Sequence, residues 1–109
     1  KGEIERSIYD VLIGECNITE AMIKTKYKNL YVLPATINLA GLDIELTERS
    51  RTETGFQKGE QLKIKLLDIR DSFDYIIIDC PPSLGLITLN AFTAALPFFR
   101  ISSGNAFRM

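Results

Sequence analysis

Four apolar residues running straight into an acid and two prolines constrain this chain more than any other feature. Tyr75-Ile76-Ile77-Ile78 is followed by Asp79, Cys80, Pro81 and Pro82. The run does not alternate with polar residues, which is the pattern of a strand covered on both faces in a parallel sheet. The prolines forbid the ladder to continue. The pattern therefore predicts a buried strand over residues 75–78 that leaves its sheet at Asp79. In open α/β sheets, ligands bind outside the carboxyl ends of strands. A carboxylate there can face a magnesium ion and nucleotide phosphates, holding the ion directly or through a water of its octahedral shell. The same pattern is also that of an ordinary strand-end Asp capping the next turn, with prolines that only end the strand.

The flanking sequence supplies helices. Ile4, Ile8, Val11 and Leu12 fall on one helix face, with Gly14 as a C-terminal stop. Asn17 and Glu20 have capping-box spacing, and the helix they open is expected to end near Lys24 to Lys28, where basic residues suit the negative end of the dipole. Leu30-Tyr31-Val32-Leu33-Pro34 reads as a short strand stopped by proline. Asn38 is placed to cap a helix carrying Leu39, Leu42 and Leu46, and residues 50–59 read as an exposed loop or a loose helix start. Leu62, Leu66 and Ile69 form the next stripe. After Gly85, Leu86, Leu89, Phe92 and Ala95 recur at helical spacing, with Thr88 and Asn90 opposite. Helices alternating with strands argue for an α/β protein with parallel strands. Two strands do not make a stable parallel sheet, so the expectation is an internal piece of a larger domain.

Composition closes other routes. The 109 residues contain no histidine, which excludes Ser-His-Asp and Cys-His catalysis and imidazole metal sites. Cys16 and Cys80 are too few for a zinc cluster and read as two reduced thiols. With 13 Lys and Arg against 14 Asp and Glu, there is no unopposed basic footprint for nucleic acid. The uncharged stretch from Cys80 to Phe99 is broken by Pro81, Pro82, Ser83, Thr88 and Asn90, and the charged start at Lys1 to Glu5 lacks a signal-peptide core. The expectation is a cytoplasmic protein without a membrane segment.

The stretch from Tyr75 through Asp79-Cys80-Pro81-Pro82-Ser83-Leu84-Gly85 to Ala95 resembles the Walker B segment of ParA/Soj-type partitioning ATPases, in the ParA/MinD family of deviant Walker P-loop proteins. Ser7 to Leu12, Leu33-Pro34-Ala35-Thr36 with Leu39 to Leu46, and Leu62 to Tyr75 resemble the family's preceding elements, so the likeness covers about residues 3–95. The resemblance implies part of a P-loop NTPase-like parallel sheet flanked by helices, an incomplete three-layer domain over residues 1–95. Residues 96–109 form a tail unlike the family. It further implies that the complete protein binds ATP and Mg²⁺, forms a homodimer around nucleotide and hydrolyses it slowly. Asp79 is then the Walker B carboxylate and the magnesium-site residue. Cys80, Pro81 and Pro82 begin the segment that senses the γ-phosphate. A ParB-type centromere-binding partner, nonspecific DNA binding by the ATP dimer, and nucleoid association also follow from the resemblance. Two alternatives stay open: a MinD-like ATPase that positions cell machinery, and a degenerate module that only binds partners.

The departures are specific. No G-x-x-x-x-G-K-[ST] loop occurs between Lys1 and Met109, so this chain by itself is expected neither to bind ATP tightly nor to hydrolyse it. Cys80 lacks a histidine to activate it as a nucleophile. Lys24, Lys26 and Lys28 read as a solvated helix end near Glu20, and Tyr27 and Tyr31 as residues packed on the core. Asp43 and Glu45, two positions apart, diverge on a helix and read as surface charges.

Overall fold

The computed structural model describes residues 5–80 and 85–96. Helix α1, Ile8–Leu12, starts where Ser7 and Asp10 form a capping box: the Asp10 carboxylate accepts the Ser7 N–H at 2.9 Å, and the Ser7 hydroxyl accepts the Tyr9 N–H at 3.2 Å. Two donors that the helix start cannot pair internally are thereby satisfied. The helix ends at Ile13, and Gly14 follows at φ +86°, a left-handed conformation that glycine adopts without strain. The expected stop is therefore in place. The Ile8 N–H also donates to the Pro34 carbonyl at 2.8 Å, fixing α1 to the chain that follows the second strand.

Helix α2, Ile18–Ala21, opens on the expected box, with Glu20 accepting the Asn17 N–H at 2.7 Å. It does not reach Lys24–Lys28. Met22 is already extended, and β1, Ile23–Lys24, pairs antiparallel with β2, Tyr31–Val32. β-branched Ile23 and Thr25 favour the extended chain, and Thr25 closes the hairpin by donating its N–H to the Leu30 carbonyl at 3.1 Å. The strand expected around Leu30–Pro34 thus exists, but in a two-residue antiparallel ladder.

Next, the first turn is tighter than Asn38 capping predicts. Thr36 occupies the N-cap position of a 3₁₀ turn, Ile37–Gly41, that places Asn38 inside it, and α3, Leu42–Thr52, continues from there. α3 also runs into the stretch expected to be an exposed loop or a loose helix start, ending at Thr52. Its polar end is held by Ser50 donating to the Thr47 carbonyl at 2.7 Å and by the Arg49–Glu53 ion pair at 3.0 Å. Arg49 does more than pair with Glu53. Its Nη1 donates to the Ile13 carbonyl at 2.9 Å, and its guanidinium lies 4.7 Å from the Phe56 ring centroid. A cation thereby occupies the carbonyl end of α1, where the dipole favours one.

α4, Gln61–Leu66, buries Leu62 and Leu66 as the stripe predicts, with Ile69 just beyond its end. α4 packs most extensively on α5, Leu86–Ala95. Val11, Leu42, Leu46 and Ala94 are fully buried at the centre, so α1, α3 and α5 share one core.

Two expectations fail here for physical reasons. The α5 stripe holds only in part: Leu86 packs on the core, but Leu89 and Phe92 are half exposed, whereas Thr88 and Asn90 are buried. Asn90 Oδ1 accepts the Leu62 N–H at 3.0 Å, and its Nδ2 donates to the Lys58 and Leu86 carbonyls at 2.9 and 3.0 Å. Unpaired backbone groups at the start of α4 need polar partners, and that need outweighs the apolar stripe. The second failure is residues 75–78. Among the described residues the only ladder is β1–β2, and residues 75–78 carry no strand. Ile76 and Ile78 lean on the core, while Ile77 is 87% exposed. A strand buried on both faces requires neighbours on both edges and layers above and below, and the described residues supply helices on one side only.

Candidate functional site

Asp79 stands at the end of that extended segment with its carboxylate exposed, and Cys80 beside it is a half-buried free thiol. Alternation along 76–79 explains the orientation. Ile76 and Ile78 take the inward positions, so the odd-numbered Ile77 and Asp79 point away from the core. Pro81 and Pro82 lie outside the described residues. The chain is described again from Gly85, the N-cap residue of α5.

Asp43 reaches this same junction, which its reading as a surface charge missed. It sits in the first turn of α3, and its Oδ2 accepts the Leu86 N–H at 3.4 Å, placing a negative charge at the start of α5. Its Oδ1 is buried without a hydrogen-bond partner among the described residues. A Cβ at Gly85 would lie 3.1 Å from Oδ2, so the absence of a side chain at 85 is what lets the carboxylate approach. Glu45 points to solvent, as the two-residue offset predicts. No local pattern in the sequence signals the Asp43 contact, because its partner lies 43 positions away.

Cys16 offers no nucleophile. Burial pushes the Cys16 thiol up from its ordinary range, only partly opposed by Arg6, so it holds its proton. No group of three or more metal-ligating side chains gathers among the described residues. The aromatic and basic expectations change more. Tyr27 is 61% exposed rather than packed, and Lys24, Lys26 and Lys28 lie on the hairpin rather than at a helix end. Tyr31 does meet another ring, edge-on to Phe73 at 5.6 Å between centroids.

The Walker B resemblance anticipates a buried strand ending at Asp79; here the carboxylate is exposed, and residues 75–78 carry no strand. The AAA domain family matches this chain over residues 1–98. The chain belongs to that family. Within it, this AAA domain sequence is of the ParA/Soj type. It is 43% identical over 95 residues to the sporulation initiation inhibitor protein Soj of Bacillus subtilis, covering 87% of this chain and 35% of that protein. Against the chromosome partitioning protein ParA of Caulobacter vibrioides the identity is 41% over 91 residues, 82% of this chain and 32% of the relative. The fold is similar to that of cobyrinic acid a,c-diamide synthase from Mycobacterium smegmatis, solved with bound ADP and magnesium. That likeness has a TM-score of 0.72 at 37% identity and covers 84% of this chain and 35% of that one. The α/β class therefore stands, and the AAA domain chain spans about a third of the length of the proteins it matches. No helix among its described residues is long and apolar enough to cross a membrane.

Proposed function

We propose that this chain is the Walker B-bearing part of an ATP-dependent partitioning protein, which drives segregation of chromosome or plasmid DNA with a ParB-type partner. The complete protein acts in the cytoplasm on the nucleoid, as a homodimer that binds DNA nonspecifically when loaded with ATP. The observation that carries this reading is the exposed Asp79 carboxylate at the end of residues 75–78, in a sequence of the ParA/Soj type.

The residue chemistry fits magnesium. Mg²⁺ takes hard oxygen donors, keeps several waters, and is commonly held through one or two carboxylates together with substrate phosphates. An exposed Asp79 leaves room for such a hydrated ion. The ion, when bound, neutralises charge on phosphate oxygens. Asp79 orients it, Cys80, Pro81 and Pro82 follow as the phosphate-sensing segment, and Asp43 holds the start of the helix on the far side of that segment. The phosphate-cradling lysine loop has no counterpart between Lys1 and Met109, so it belongs to another part of the complete protein.

Grafting residues 3–95 into the matching region of the Bacillus subtilis Soj protein tests the reading. The graft should hydrolyse ATP with Mg²⁺, and Asp79→Asn should reduce kcat at least about a hundredfold, the scale set by losing a charge-stabilising group in a phosphoryl-transfer site. A folded graft without activity, or an active graft indifferent to Asp79→Asn, would overturn it.

A further inference from the structure

We infer that Asp43 is a positioning residue for nucleotide hydrolysis: from the first turn of α3 it sets where α5 begins, and thereby where the turn after Asp79 ends. This role rests on the reading of Asp79 as the magnesium-site carboxylate. Asp43 Oδ2 accepts the Leu86 N–H at 3.4 Å, and Gly85, the N-cap residue of α5, admits it because a Cβ there would lie only 3.1 Å away. The carboxylate is presented from a fixed support. Leu42 and Leu46, on either side of it along α3, are both fully buried. Only Pro81, Pro82, Ser83 and Leu84 separate Cys80 from Gly85, and the proline rings fix φ at two of those four. A displacement of Gly85 therefore has few rotatable bonds to absorb it before it reaches Asp79.

Asp43 is a poor choice for stability alone. Its Oδ1 is buried with no hydrogen-bond partner among the described residues, and 3.4 Å is long for a charge-assisted bond. Burying a carboxylate oxygen unpaired costs free energy that one long hydrogen bond offsets only in part. What the arrangement secures is place. A negative charge lies at the first turns of α3 and α5 together, where both helix dipoles favour it. Glu45, two residues along the same helix, carries the same charge but is exposed and makes no such tie.

Steady-state ATP hydrolysis by the graft of residues 3–95 in the Bacillus subtilis Soj protein tests this. Asp43→Ala should lower kcat about tenfold while KM stays within about twofold, since misplacing a reacting group is felt in the chemical step. Asp43→Asn should fall almost as far, because so long a contact draws on charge more than on the hydrogen bond. Asp43→Glu should regain most of kcat, as the charge stays on the same turn and side chains there lean toward the helix start. Gly85→Ala should lower kcat too, its Cβ displacing Oδ2, yet add little to Asp43→Ala, because both changes break one contact. Glu45→Ala should leave kcat unchanged. Thermal melting should move by no more than a few degrees in any of these variants.

An active graft that depends on Asp79 but keeps its kcat in Asp43→Ala, or loses as much in Glu45→Ala, would overturn the positioning role alone. Should Asp43→Ala fail to fold, Asp43→Asn, which keeps the side-chain shape, decides; loss of folding in both would assign Asp43 to the fold and overturn the role as well. A folded graft that is inert, or indifferent to Asp79→Asn, would overturn the magnesium reading and this role together.

Discussion

The helical core and the segment ending at Asp79 are built from the same kinds of residue and meet opposite fates. Leu42 and Leu46 on α3 are fully buried, whereas Tyr75 and Ile77 are 58% and 87% exposed. A helix satisfies its backbone internally and needs only one partner face to bury a stripe. An extended segment leaves its N–H and C=O groups to neighbours on both edges. Apolar character thus secures burial for the helices but not for residues 75–78. The part of the chain nearest the proposed chemistry is therefore among the less buried of the described residues.

Substitutions can break or sharpen this contrast. The largest effect is expected at Leu46, where replacement by Ala should cost about 2–5 kcal/mol in urea unfolding, because a fully buried side chain leaves a cavity. The matching change, Ile77→Ala, should stay within about 0.5 kcal/mol. Similar losses at both positions would show that residues 75–78 are packed in solution, and the contrast would vanish. An intermediate effect belongs to Asn90. Asn90→Ala strips the Leu62 N–H and the Lys58 carbonyl of their side-chain partner, and should cost about 1–3 kcal/mol. Asn90→Leu should fare no better, since bulk does not replace the donors; full stability in that variant would mean that the apolar stripe governs α5 after all. The smallest effect is at Cys16, on the margin of the core. With Cys80→Ser removing the second thiol, iodoacetamide followed by mass spectrometry should label Cys16 more slowly than free cysteine at the same pH. Its folded state holds the proton more tightly than the unfolded chain does, so this contribution is present below the ordinary thiol range and is lost as pH rises through the elevated folded value.

Local signals were legible and long-range ones were not. Capping at Ser7–Asp10 and Asn17–Glu20 involves residues three apart, and Gly14 needs only its own backbone freedom. The capping spacing at Asn17 and the stop at Gly14 can accordingly be read from the sequence alone. The stripes on α1, α3 and α4 follow from period. The α5 face could not be read that way, because Asn90 turns inward to serve backbone groups 28 and 32 positions away. The Lys24–Lys28 stretch was misplaced for a related reason: Glu20 nearby suggested continued helix, while pairing with Tyr31–Val32 decided the conformation. At the candidate site, the identity of Asp79 is visible in the apolar-run-to-proline pattern. Asp43 is visible only once α3 and α5 are brought together.

The hold of Asn90 on two backbone groups outside α5 also has a mechanical consequence. Turning α5 by a single residue, about 100°, would release the start of α4 and the Lys58 carbonyl together. The two helices are therefore latched into one lever. A shift of α5 thus carries the start of α4 with it.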